Sequence, residues 1–81
     1  MIARFAEPFQ DRFRKLPDRI KRHFKKQILF LLKDLRHPSL RAKKLDESDN
    51  IWQARVNGHY RFYFQIRGDI YYILNIRKHK D

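Results

Sequence analysis

The stretch Ile51–His79, IWQARVNGHYRFYFQIRGDIYYILNIRKH, decides how the rest of the chain is read. It holds three runs rich in β-branched and aromatic residues, Ile51–Val56, Tyr60–Ile66 and Ile70–Ile76, punctuated by Asn57-Gly58 and Gly68-Asp69. Such residues favour strands, and such dipeptides between alternating runs mark tight turns. Side chains alternate across a strand, so each run sorts into two faces. Trp52, Ala54 and Val56 oppose Gln53 and Arg55. Tyr60, Phe62, Phe64 and Ile66 oppose Arg61, Tyr63 and Gln65. Tyr72, Leu74 and Ile76 oppose Tyr71, Ile73 and Asn75, and the latter parity continues into Arg77 and His79.

Loop length decides whether the polar sets share a face. A two-residue Asn57-Gly58 turn sets Ala54 against Arg61 and mixes the two kinds. A loop of Val56, Asn57 and Gly58, with Gly58 in the left-handed region, sets Gln53 against Arg61 and keeps the apolar set together. The same reasoning selects Arg67-Gly68-Asp69 as the second loop and opposes Arg61 to Asn75. The expected polar face carries Gln53, Arg55, Arg61, Tyr63, Gln65, Asn75, Arg77 and His79, with Tyr71 on the same parity. Most polar sheet faces are simply solvated. This one holds three arginines and a histidine but no acid.

Composition narrows the partners. The 81 residues suit one small domain over 1–81, and 42% hydrophobic with 15% aromatic content argues against disorder. A net charge of +11 implies a partner of opposite sign: nucleic acid, an acidic protein or an anionic membrane. No cysteine is present, which removes disulfides and thiolate metal sites. No apolar run approaches a membrane span and no signal-peptide core follows Met1, so a soluble cytoplasmic protein is expected.

The first half reads as cover for the sheet. Ile2–Phe5 is a short candidate strand, and Pro8 suits the first turn of a helix carrying Phe9, Phe13 and Leu16. After Pro17, Ile20, Phe24, Ile28, Leu31, Leu32 and Leu35 form the apolar stripe of a second helix with a basic outer side. Pro38 ends it, and residues 37–50 read as a loop. Leu40 and Leu45 are expected to tuck into the core and hold Arg41, Lys43 and Lys44 against the sheet edge. The fold class is α+β: two helices on one face of a small, mainly antiparallel sheet, in the order β-α-α-β-β-β.

Phosphate-binding glycine loops, metal-protease and serine-nucleophile motifs are all missing, and the four histidines lack metal-ligand spacing. No cofactor is expected. One chemistry needs none of these parts: cleavage of RNA by its own 2′-hydroxyl. It requires a base, cations at the scissile phosphate and an acid for the departing 5′-oxygen. Arg55, Arg61 and Arg77 offer the cations, and His79 is the one side chain of the face that ordinarily titrates near neutrality. Lys43 and Lys44 can add to them from the loop, while Tyr63 and Tyr71 suit stacking on unpaired bases.

FRKLPDRI, HPSLRAKKL, IWQARVNGHYRFYFQI and YYILNIRKH, in that order and spacing, resemble the RelE/ParE superfamily of toxin–antitoxin toxins from about Phe5 to His79. The resemblance implies a small antiparallel sheet with two helices on one face. It also implies neutralisation by a cognate antitoxin and, in the RelE-like branch, metal-independent cutting of mRNA on the ribosome. By position, Arg61 matches the arginine that contacts the scissile phosphate and Arg55 a basic residue of the preceding strand. His79 falls where members carry a C-terminal Arg or His at or beside the general acid. Gln53 stands where some members have lysine, which leaves the base open, with Lys43 or Lys44 as candidates. Arg41, Gln53, Tyr63, Tyr71 and Arg77 complete the expected RNA surface. ParE-like members share the fold yet poison DNA gyrase. The expected activity is therefore that of an endoribonuclease toxin, with a gyrase-directed inhibitor or an inactive RNA-binding relative as alternatives.

Overall fold

The computed structural model describes residues 1–79, so the last two positions of the expected 1–81 domain lie outside the described residues. In chain order the elements are β1 (Ile2–Phe5), α1 (Glu7–Arg14), α2 (Asp18–Lys33), β2 (Lys43–Asp46), β3 (Ile51–Arg55), β4 (Tyr60–Arg67) and β5 (Ile70–Lys78). Pro8 lies in the first turn of α1, where its missing N–H is no loss, and Pro17 stands just before α2. The strands order as β1-β5-β4-β3-β2, with β1 parallel to β5 and the other neighbours antiparallel. No helix among the described residues is long and apolar enough to cross a membrane.

Both helices cover one face. Phe9, Ile20, Phe24, Ile28 and Leu31 meet Ala54, Val56, Phe62, Phe64, Tyr71, Ile73 and Ile76 in one apolar core. Phe24 contacts Phe62 edge-on, with ring centroids 5.2 Å apart, and joins α2 to the centre of the sheet. Burying an aromatic or branched apolar side chain stabilises by about 1.5–3 kcal/mol, so this layer outweighs any single polar contact. Leu40 is fully buried as expected, whereas Leu45 is 49% exposed. The reason is that residues 43–46 form an edge strand rather than a loop, and Leu45 stands on its uncovered margin.

Both hairpin registers differ from the expected ones. Gln53 pairs with Tyr63 and Arg55 with Arg61, a slip of two residues that leaves every side chain on its expected face. Asn57 sets this loop: its Oδ1 accepts the N–H groups of His59 (2.8 Å) and Tyr60 (2.9 Å), while its Nδ2 lies 3.1 Å from His23 Nδ1 on α2. At the second hairpin Arg67 pairs with Ile70 across a Gly68-Asp69 turn, with Gly68 at φ 59°. Tyr63 pairs with Asn75 but Phe64 with Ile73, so Leu74 is an extra residue in β5. That bulge reverses the parity of β5 between its two ends.

Candidate functional site

The open face is built from rows of paired residues. Arg55 lies opposite Arg61 and Arg61 opposite Arg77, so three arginines cross β3, β4 and β5 side by side. The neighbouring row runs Lys43, Gln53, Tyr63 and Asn75 over four strands. Like charges placed opposite one another in a sheet repel, and a bound anion relieves that repulsion. A groove of about 330 Å³ opens at this place, lined by Arg41, Lys43, Gln53, Arg55, Arg61 and His79. Among the described residues, none that lines it is acidic.

Each wall has its own support. Arg61 is only 6% exposed, and its Nη1 donates to the carbonyls of Asn57 (2.8 Å) and Tyr60 (3.0 Å). Arg61 therefore belongs to the fold as well as to the groove. It belongs to the polar face, yet the groove walls enclose it, and an enclosed charge needs these acceptors. The His79 backbone N–H donates to His59 O at 2.6 Å, which ties the residue after β5 to the β3–β4 loop beside Arg61. Arg41 holds φ 45°, a left-handed conformation that costs a non-glycine residue about 1–2 kcal/mol. Such strain concentrates where a side chain is needed at that point.

Gln27, buried on α2, fixes the loop and strand that carry Arg41 and Arg55. Its Nε2 donates to Ser39 O (3.1 Å) and Arg55 O (2.8 Å), and its Oε1 accepts from Ser39 Oγ (2.9 Å). The Arg55 N–H in turn donates to Leu40 O at 2.8 Å. Nothing in the helical stripe singles out this residue in the sequence, because a glutamine beside an apolar stripe reads as surface.

Lys43 and Lys44 part company. Because they lie in a strand, Lys43 faces the groove with Gln53, whereas Lys44 pairs with Trp52 on the helix side. Lys44 Nζ sits 6.0 Å from the Trp52 ring centroid and 3.2 Å from Glu47, so it is corrected from a candidate catalytic group to a surface contact. Tyr71 is likewise displaced. The Leu74 bulge turns it into the core, 4% exposed and edge-on to Phe64 with centroids 5.6 Å apart. Burial, and secondarily the charge of Asp34, push its hydroxyl above the usual tyrosine value. Tyr72 takes the open face instead, and Tyr63 stays there, half-buried. Arg77 stands exposed at the end of the arginine row. The signal for Tyr72 was ambiguous, since both parities of Ile70–Ile76 are largely apolar.

A second groove, about 630 Å³, lies on the helix side where Phe5, Phe9, Phe13 and Phe24 meet under a rim that includes Arg14 and Lys25. Phe5 is 41% exposed there.

Two helices on one face of a five-stranded mixed sheet is a fold that this chain shares with solved toxin structures. The chain is similar to the YoeB/ParE toxin from Agrobacterium tumefaciens, with TM-score 0.81 and 14% identity over 99% of this chain and 100% of that one. It is similar to a chain of the intact E. coli RelBE toxin–antitoxin complex, with TM-score 0.75 and 16% identity over 99% and 98%. A chain of the YoeB–YefM complex from Staphylococcus aureus matches with TM-score 0.78 and 10% identity over 96% and 95%. No curated protein matches the chain. The family model for the ParE toxin of type II toxin–antitoxin system, parDE, matches residues 3–81, and the chain belongs to that family.

Proposed function

We propose that this toxin is a metal-independent, ribosome-dependent endoribonuclease that cuts mRNA through the RNA's own 2′-hydroxyl. The reading is carried by the arginine row and its groove, with His79 at one wall and no acid lining it among the described residues. In this reading Lys43 takes the 2′-hydroxyl proton, the 2′-oxygen attacks phosphorus and the bond from phosphorus to the 5′-oxygen breaks. His79 gives its proton to that departing oxygen. Arg61, with Arg55 and Arg77 beside it, stabilises the extra negative charge on the phosphoryl oxygens, the contribution that is usually largest. Arg41 and Gln53 hold the strand next to the scissile phosphate, and Tyr63 offers a ring to a base.

Primer extension on mRNA after induction, with and without ribosomes, tests this. The expected products carry a 2′,3′-cyclic or 3′-phosphate and a 5′-hydroxyl, and appear only with ribosomes. A non-enzymatic toxin acting on DNA gyrase is the second reading, favoured by the family match. Growth arrest with intact mRNA and accumulating DNA cleavage complexes decides for it.

The partner in either case is a cognate antitoxin, as in the E. coli RelBE and S. aureus YoeB–YefM complexes that this chain resembles. The apolar groove on the helix side, with Arg14 and Lys25 at its rim, suits an amphipathic segment with acidic flanks. Co-purification at moderate salt with a co-expressed small protein encoded beside it is the expected result, and its failure removes this partner. A cytoplasmic site of action goes with a ribosomal target.

A further inference from the structure

The open face does not end at the arginine groove. Beyond the Leu74 bulge its next row runs Arg4, Tyr72, Gln65 and Ile51 over β1, β5, β4 and β3. Tyr72 is half-buried, and the Arg67 guanidinium carbon lies 5.1 Å from its ring centroid. Arg67 Nη2 donates to Gln65 Oε1 at 2.9 Å, and Gln65 Nε2 donates to Asp49 O at 2.8 Å. The guanidinium plane is thus held from behind by a chain of hydrogen bonds anchored in the β2–β3 turn. A cation over an aromatic ring is stabilising by itself, so the pair alone is also compatible with plain surface packing.

Placement argues for more. Gln65 follows Tyr63 by two along β4 and pairs with Tyr72, which makes Tyr63 and Tyr72 diagonal neighbours. Diagonal neighbours of this kind lie about 7–8 Å apart, within reach of successive bases of one strand. The sequence of groups along the face is then arginine groove, Tyr63, Tyr72 with Arg67. Exposed aromatic rings and guanidinium planes on a sheet are the usual platforms for unpaired bases. Arg4, placed opposite Tyr72, supplies a further cation for the backbone of such a strand.

We propose that Tyr72 and its Arg67 clamp form a stacking subsite for an unpaired base of the strand whose phosphate occupies the arginine groove. The inference rests on the ribonuclease reading above and adds a second anchor to it. The bulge is what builds the subsite, since an unbroken β5 ladder would present Tyr71 here and bury Tyr72.

The test is equilibrium binding of the full chain to a fluorescein-labelled single-stranded ribo-oligonucleotide, with cleavage blocked by 2′-O-methyl groups. Tyr72→Thr keeps a strand-favouring residue without a ring, and Tyr72→Trp keeps a ring. The Tyr72→Thr variant is first checked for an unchanged melting profile. It is expected to weaken binding about 5- to 100-fold, the range of one base–aromatic stack. The slope of log affinity against log salt should stay unchanged, because no phosphate contact is lost. Tyr72→Trp should bind as well as the unmodified chain. If Tyr72→Thr binds normally while Arg61→Ala is weakened, the subsite is overturned and the groove stands. If Tyr72→Thr unfolds, an abasic position in the oligonucleotide replaces it. The same loss with the unmodified chain supports the subsite, and indifference to every abasic position overturns it. A chain that binds no single-stranded RNA at all overturns the subsite, while the ribonuclease reading is decided separately by cleavage of mRNA on ribosomes.

Discussion

At the scale of single residues, the groove sets side chains with opposite relations to stability and function. His79 is exposed and touches the fold through its backbone N–H, so His79→Ala should leave the melting temperature unchanged. Single-turnover cleavage on programmed ribosomes should fall about 10²–10⁴-fold, the usual worth of a positioned acid, and an unchanged rate would move the acid elsewhere. Arg61→Ala should cost on the order of 3 kcal/mol in the barrier, but it also removes the donor to Asn57 O and Tyr60 O. Its effect must therefore be read beside a urea midpoint. Arg41 gives the sharper separation. Arg41→Gly relieves the left-handed backbone at φ 45° and should raise stability by up to about 1 kcal/mol. The same change removes a groove cation and should weaken RNA binding while lowering its salt slope by about one. A variant that is less stable, or binds RNA as tightly, would show that the strain serves no ligand.

At the scale of elements, the site depends on what lies beneath it. Gln27 reaches from α2 to Ser39 and Arg55 and thereby joins a helix, a loop and a strand at the back of the groove. Gln27→Leu keeps the volume but leaves buried carbonyls without their donor, at about 1–3 kcal/mol. It should lower the urea midpoint. If Gln27 positions the groove, it should also slow cleavage at saturating substrate under conditions where the variant is fully folded. An unaltered rate would reduce Gln27 to a packing residue. The β3–β4 loop works similarly through Asn57, whose side chain closes the turn and whose carbonyl holds Arg61.

At the scale of the whole molecule, a net charge of +11 on 81 residues makes compactness work against self-repulsion and favours an anionic partner. Titration of the core adds a separate signature at alkaline pH. Burial, then the charge of Asp34, raise the Tyr71 hydroxyl above its ordinary value of 10.0. The folded chain thus keeps a proton that the unfolded chain releases. The associated stability is complete below about pH 10 and is lost as pH rises through the raised folded value. Melting temperatures followed from about pH 9 to 11 should fall, and Tyr71→Phe should flatten part of that fall. An identical slope in the variant would place the loss at another group.

Alternation, turn dipeptides and helical spacing were local signals, and they determined a great deal here. The three C-terminal strands, the helix starts at Pro8 and Pro17, the apolar face carrying Phe62 and Phe64, and the face carrying Arg55, Arg61, Arg77 and His79 were all legible in the chain, whereas α2 stops at Lys33, short of the expected end at Pro38. A two-residue slip in the first hairpin did no harm, because the period of a strand is two. Tertiary structure decided what local signals leave degenerate. The Leu74 bulge exchanged Tyr71 for Tyr72, since both parities of that run were apolar enough to be buried. Pairing with β3 made a strand of Lys43–Asp46 and sent Lys43 and Lys44 to opposite faces, which only the neighbouring strand can dictate. Gln27 became a clamp, and Arg61 an enclosed cation, because groups distant in sequence closed around them.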